Sequence, residues 1–254
     1  MAWDPTQYLA FGSERLQPAL DLLARVPLSA PDSIVDLGCG AGNVTKALRN
    51  RWPDARITGI DGSPEMLEKA RAEAPDIEWI EADMNDWQPQ APVDLIYSNA
   101  ALHWLDDHGS LFPRLMSHVS PGGFLAAQMP RNWEAPSHTQ ITEAVQNGPW
   151  RSELEALMRP SPSHAPEIYY EALAPVSDSL NIWETEYCQI LDGENPVAEF
   201  VKGSQLKRFL DALDEPHRTA FEDDYRARIL AAYPKRGDGK TLFPFRRLFI
   251  LAGR

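Results

Sequence analysis

At 254 residues, 43% hydrophobic and 24% charged, the chain has a globular composition and enough length for one large domain with a modest accessory lobe. Its formal net charge of -13 argues against a nonspecific hold on nucleic acid, which needs a basic surface. No apolar run is long enough to span a bilayer, so neither nucleic acid nor membrane is expected as a partner, whereas a small anionic ligand stays open because a local basic cluster can oppose the global sign.

The opening MAWDPTQY lacks the basic stretch and apolar run of a secretory signal, so a cytoplasmic protein is expected. A helix follows from Leu16 to about Val26, with Pro18 in an early turn. Short apolar runs then alternate with helical patterns. SIVDL reads as a strand and NVTKALRNRW as a helix; RITGID is a strand and SPEMLEKARAEA a helix capped by Ser63, with Pro64 at its first position. IEWIEAD and VDLIYSNAAL are strands, HGSLFPRLMSHVS is a helix stopped by PGG, and GFLAAQMP is a strand. This alternation signals a mostly parallel sheet.

After Met129 the rhythm changes. Residues 133–180 hold Pro, Ser and His around two helical patterns, at His138 to Val145 and Trp150 to Met158. NIWETEYCQIL reads as a long strand, AEFVKGSQLKRFLDAL and EPHRTAFEDDYRARILAAY as helices, and LFPFRRLFILAG as the closing strand. Cys39, between glycines, reads as a small space filler, and Cys188, in an apparent strand, as a core residue; two cysteines make no disulfide framework. The six histidines show no zinc spacing, and no metal site is expected.

The chemistry concentrates in IVDLGCGAGNVTKAL. Gly38, Gly40 and Gly42 lie directly after a strand and before a helix, where glycines permit a tight turn and let a ligand approach the backbone. Asp61 ends the next strand, placed either to hold a ribose diol or to form an Asx-type turn over Gly62 and Ser63. A dinucleotide fingerprint needs glycine where Asn43 stands, which disfavours a nicotinamide oxidoreductase. Asp36, closing the first strand, suits a ligand with a cationic portion rather than a pyrophosphate. Asp83 and Met84 follow the third strand, an acid to accept from an adenine amino group and an apolar side chain to cover the ring.

The set VDLGCGAG, GIDGSPEML, EADM and SNAALHWL resembles the class I S-adenosylmethionine-dependent methyltransferases. The resemblance implies a Rossmann-like α/β fold: a mostly parallel seven-stranded sheet with an antiparallel last strand, plus a helical substrate lid. It implies S-adenosylmethionine as cofactor, held by Tyr8, Arg15, Asp36, Gly38, Gly40, Gly42, Asn43, Asp61, Gly62, Asp83, Met84 and Asn99. It also implies three regions: 1–130 as cofactor-binding core with an N-terminal lid segment, 131–181 as a helical insertion, and 182–254 as sheet-completing strands with inserted lid helices.

The N-terminal WDPTQYLAFGSERLQPALDLL with SNAALHWLDDH, QMPRNW, EFVKGSQLKRFLDAL and the closing PFRRLFILA resemble a narrower group in that family, and this resemblance implies methyl transfer to one carboxylate of trans-aconitate, giving a monomethyl ester and S-adenosylhomocysteine. A carboxylate is already ionised at neutral pH, so no general base is required and none is assigned. A polycarboxylate substrate needs donors and positive charge, for which Arg131, Asn132, Lys202 and Arg246 are candidates, with Trp104 and Trp133 as walls. His103 either donates to a substrate carboxylate or packs over the cofactor, and Tyr225 either offers its hydroxyl to the pocket or packs in the core with Phe221 and Ile229. Another small carboxylate or hydroxy acid as acceptor, and cofactor binding without catalysis, remain alternatives. A monomer or weak dimer is expected.

Overall fold

The computed structural model describes residues 12–159 and 163–254. The chain divides into two units, a sheet unit of Arg15–Pro130, Pro162–Thr185 and Arg247–Arg254, and a helical unit of Met1–Glu14, Arg131–Ser161 and Glu186–Arg246.

The first half runs α1 (Gly12–Arg25), β1 (Ser33–Leu37), α2 (Asn43–Arg51), β2 (Arg56–Asp61), α3 (Pro64–Glu73), β3 (Glu78–Glu81), β4 (Val93–Asn99), α4 (His108–Ser117) and β5 (Val119–Pro130). These are the expected strands and helices, with shifts at their ends. Ser63 caps α3 as read, its hydroxyl accepting from the Met66 N–H at 3.3 Å, with Pro64 at the first turn. β5 starts earlier than expected: Val119 already pairs with Val93, and PGG lies inside the strand, where the register between β4 and β5 shifts.

The sheet has seven strands in the order β3-β2-β1-β4-β5-β7-β6, with β6 at Ser179–Leu191 and β7 at Thr241–Gly253. β1 pairs in parallel with both β2 and β4, and β7 runs antiparallel to β5, with Gln128 opposite Phe249 and Pro130 opposite Arg247. Strand order reverses between β1 and β4, the kind of switch point at which open α/β sheets bind ligands beyond the carboxyl ends of their strands. Every residue of β1 is buried, as a central strand covered on both faces requires.

The core of the sheet unit joins Leu37, Ile96, Leu125 and Ile250 to Phe112 and Leu115 of α4, each contributing about 1.5–3 kcal/mol by burial. α1 is held to the sheet through Tyr97, whose hydroxyl donates to the Ala19 carbonyl at 2.5 Å. A helix absent from the sequence reading, α7 (Pro166–Leu173), completes this core with Tyr169 and Leu173. Tyr169 donates to or accepts from His108 Nδ1 at 2.7 Å.

The helical unit contains α5 (Pro136–Asn147), α6 (Arg151–Leu154), α8 (Pro196–Val201), α9 (Lys207–Leu210) and α10 (His217–Ala232). A π-helical stretch, Lys202–Leu206, joins α8 to α9, so the single helix expected over this region is interrupted by a wider turn. Its core gathers Ile141, Val145, Trp150, Phe209, Phe221, Tyr225, Ile229 and Phe243. β6 and β7 contribute residues to both units. Cys39 is buried as read, but Cys188 is exposed; the core assignment fails because β6 is the last strand in the sheet order and alternates outward at that position.

Candidate cofactor and acceptor site

The turn after β1 is shaped by three glycines in the left-handed region, with φ of 80° at Gly38, 55° at Gly40 and 80° at Gly42. Their surroundings separate their roles. A Cβ on Gly38 would lie 2.2 Å from the Ala101 Cβ, and one on Gly42 would lie 2.6 Å from the Trp79 ring, so these two are glycine because protein packs against them. A Cβ on Gly40 would meet no atom of the described residues within 4 Å. The backbone is therefore bare to one side at Gly40, a cradle for a ligand.

Asp61 lies against this turn. Asp61 has both oxygens engaged by backbone: Oδ2 accepts from the Gly40 N–H at 2.8 Å and Oδ1 from the Ser63 N–H at 2.9 Å. The Asx-type turn and the link to the glycine turn thus coexist. Each carboxylate oxygen retains a lone pair for a further donor such as a ribose hydroxyl. Asp83 is exposed; its Oδ1 accepts from the backbone and side-chain amides of Asn85 at 2.8 and 3.1 Å. The Met84 sulfur lies 3.1 Å from where a Gly38 Cβ would be, which sets the thioether over the turn. Asn43 begins α2 and is exposed, as is Gly62.

Asp36 is buried with its Oδ2 accepting from the Thr45 hydroxyl at 2.6 Å. Burial pushes its carboxyl up to about 7 against the pull of the Thr45 hydrogen bond, and the nearby Asp61 charge raises it further. Such an acid is stabilised as an anion by an arriving cation. Asn99, at the end of β4, keeps a buried Oδ1 with no hydrogen-bond partner among the described residues. The bare cradle at Gly40, the orphaned Asn99 oxygen and the acid set together fit a nucleoside ligand with a cationic end.

His103 and Trp104 form a short 3-10 turn after β4, their rings 4.6 Å apart, with His103 buried and Trp104 58% exposed. Burial, with the neighbouring Arg247 and His108, lowers His103 to about 3, so its ring is neutral at physiological pH. Tyr8 lies outside the described residues, as does the Arg15 side chain.

The remaining candidates lie in the helical unit. Asn132 is buried and occupied at both ends of its amide, donating to the Ser137 hydroxyl at 3.2 Å and accepting from the Arg246 N–H at 3.2 Å. The Arg131 N–H donates to the Arg246 carbonyl at 3.0 Å, and the Trp133 ring meets His138 edge-on at 4.7 Å. Lys202 is ion-paired with Glu222 at 2.5 Å. Tyr225 is fully buried, and its hydroxyl donates to the Ser137 carbonyl at 2.8 Å, matching the core alternative. Of the arginine pair at β7, Arg246 is exposed and Arg247 buried. Alternation along a strand sends one of the pair to each face, and the buried one is Arg247 rather than the candidate Arg246. Gln128, the one amide in the apolar strand GFLAAQMP, is also buried, at 1% exposure, and the sequence gives no signal for it.

A family model described as a methyltransferase domain matches residues 34–123, which span β1 to the start of β5. Over its whole length the chain is similar to the trans-aconitate 2-methyltransferase of Azoarcus sp. (strain BH72), 48% identical over 99% of each chain. It is 44% identical to the enzyme of that name from Rhodopseudomonas palustris (strain BisB18), over 98% of each chain. Among solved structures, phosphoethanolamine N-methyltransferase 2 of Haemonchus contortus with S-adenosyl-L-methionine shares the fold, with a TM-score of 0.59 at 14% identity over 98% of this chain and 56% of that one. The chain belongs to the class I S-adenosylmethionine-dependent methyltransferases. The family's cofactor is S-adenosylmethionine, and the activity that it defines is methyl transfer.

Proposed function

We propose that the acceptor is trans-aconitate, methylated on one carboxylate to give a monomethyl ester and S-adenosylhomocysteine. The observation that carries this reading is the end-to-end similarity to enzymes of that name, which extends through the helical unit as well as the shared cofactor domain.

The site chemistry supports it. S-adenosylmethionine supplies a methyl group on a sulfonium sulfur, whose bonding pair stays with sulfur when the acceptor oxygen takes the carbon. Asp61 and Asp83 would hold the nucleoside portion and the Gly38 to Gly42 turn the amino-acid portion, while ionised Asp36 and the Asn99 oxygen would favour positive charge. A carboxylate acceptor arrives as its own nucleophile, with a pKa of about 4, so the protein has only to hold it in line and exclude water. Neutral His103 serves as a hydrogen-bond donor rather than as a base. In the sheet unit Trp104 offers an apolar wall beside His103, and in the helical unit Arg131, Arg246 and Trp133 are the candidate acceptor contacts. Asn132 accepts from the Arg246 N–H, whereas Lys202 is paired with Glu222 and the Tyr225 hydroxyl with the Ser137 carbonyl.

The test is product mass: trans-aconitate offered beside cis-aconitate, citrate and isocitrate with S-adenosylmethionine. Trans-aconitate should gain one methyl group as an ester labile to mild base. Preferred methylation of another acid, or of a hydroxyl, replaces the acceptor and leaves the family assignment standing.

A further inference from the structure

Gln128 is the most conspicuous unexplained polar group in the sheet unit. It is 1% exposed, and neither its Oε1 nor its Nε2 has a hydrogen-bond partner among the described residues. A buried amide left in this condition is destabilising and uncommon in native proteins. It also stands at a particular place. Gln128 is directly opposite Asn99 on β4 and opposite Phe249 on β7, so all three side chains project from one face of the sheet near the carboxyl ends of β4 and β5. Arg247, two residues from Phe249, projects from the same face and is buried at 5% exposure.

We infer that Gln128 and Arg247 form a carboxylate-holding subsite for the methyl acceptor, with the Gln128 amide N–H and the Arg247 guanidinium as donors. The inference rests on the carboxylate reading of the preceding subsection. Sheet order places it: the acids for the nucleoside follow β2 and β3, the glycine turn follows β1, and the strands on the other side of β4 are β5 and then β7. An acceptor approaching the methyl group from the side away from the nucleoside therefore meets β5 and β7. The chemistry fits as well. An amide offers two N–H donors and a guanidinium five, and both are apt for a planar anion. His103 beside Arg247 is uncharged and brings no competing cation to the spot. Trp183, stacked on Phe249 at 4.9 Å, closes the neighbouring stretch of the same face with apolar surface.

The experiment uses the full chain with three variants, Gln128→Leu, Gln128→Glu and Arg247→Met. Each is titrated calorimetrically with S-adenosylhomocysteine, then with trans-aconitate in its presence, and its thermal midpoint is measured. Gln128→Leu should weaken trans-aconitate binding about tenfold or more while S-adenosylhomocysteine affinity stays the same. It should also raise the thermal midpoint by a few degrees, because an orphaned amide is replaced by an apolar group of similar volume. Gln128→Glu should weaken acceptor binding further, since it sets one carboxylate against another, and Arg247→Met should weaken it without a matching loss of cofactor-product binding. The subsite is overturned if Gln128→Leu binds trans-aconitate like the parent protein, or if its thermal midpoint and both affinities fall together, the pattern of a structural amide. Absence of S-adenosylhomocysteine binding in the parent protein, or of trans-aconitate binding beside it, would instead remove the reading on which the subsite depends.

Discussion

Asp36 couples a proton to the ligand. A buried acid raised to about 7 is partly protonated in the free protein near neutrality, and an adjacent cation lowers its pKa. Binding of S-adenosylmethionine at about pH 7 should therefore release a fraction of a proton. Calorimetry in buffers of different ionisation enthalpy measures this, and the released proton should vanish in Asp36→Asn. Asp61 gives a contrasting expectation. Its two oxygens organise the Gly40 and Ser63 amides, and the same oxygens face a ribose in the proposed complex. Asp61→Ala should lower cofactor affinity by at least about tenfold and leave the preference among polycarboxylates unchanged. An unaltered dissociation constant for S-adenosylhomocysteine would remove Asp61 from the ribose site.

The glycine turn shows how one element divides between folding and function. Gly38→Ala drives a methyl into Ala101, so it should destabilise the fold strongly, whereas Gly40→Ala meets no atom of the described residues and carries the left-handed backbone strain of about 1–2 kcal/mol. Thermal melts should show Gly38→Ala well below the parent protein and Gly40→Ala close to it. Calorimetry should show that Gly40→Ala still loses cofactor affinity. The sequence supports this turn, and most of the first half, because alternating apolar runs and caps such as Ser63 are local signals. It is silent on α7, where Tyr169 and Leu173 at i, i+4 spacing follow Pro166 but sit among Pro, Ser and His that suggest a loop. Of the Arg246 and Arg247 pair, strand parity alone cannot say which faces inward; pairing with β5 decides it. The sequence leaves Tyr225 open between pocket and core and makes Asn132 an acceptor candidate, because the partners that hold them, Ser137 for Tyr225 and Arg246 for Asn132, are distant in sequence and visible only in the fold.

For the molecule as a whole, three acid-base facts combine into one pH pattern. Asp36 raised to about 7 means that the folded state holds this proton more tightly than the unfolded chain, whose carboxyl titrates near 3.8. Its contribution to stability is full below the unfolded value and is lost as pH rises through about 7, so the ligand-free protein should lose stability over that window. Cofactor affinity should move oppositely, rising through pH about 7 as Asp36 ionises, then levelling. The chemical step should follow neither curve. The proposed carboxylate acceptor would be ionised, with a pKa of about 4, and His103 is neutral above about 3, so with both substrates saturating, kcat should be flat from about pH 6.5 to 8.5. Rapid-quench measurement of ester formation across that range separates chemistry from product release. A rise with unit slope would mean that the acceptor must lose a proton before reaction. A carboxylate has none to lose there, so that slope would point to a hydroxyl acceptor and abolish the case for a positioning mechanism without a base.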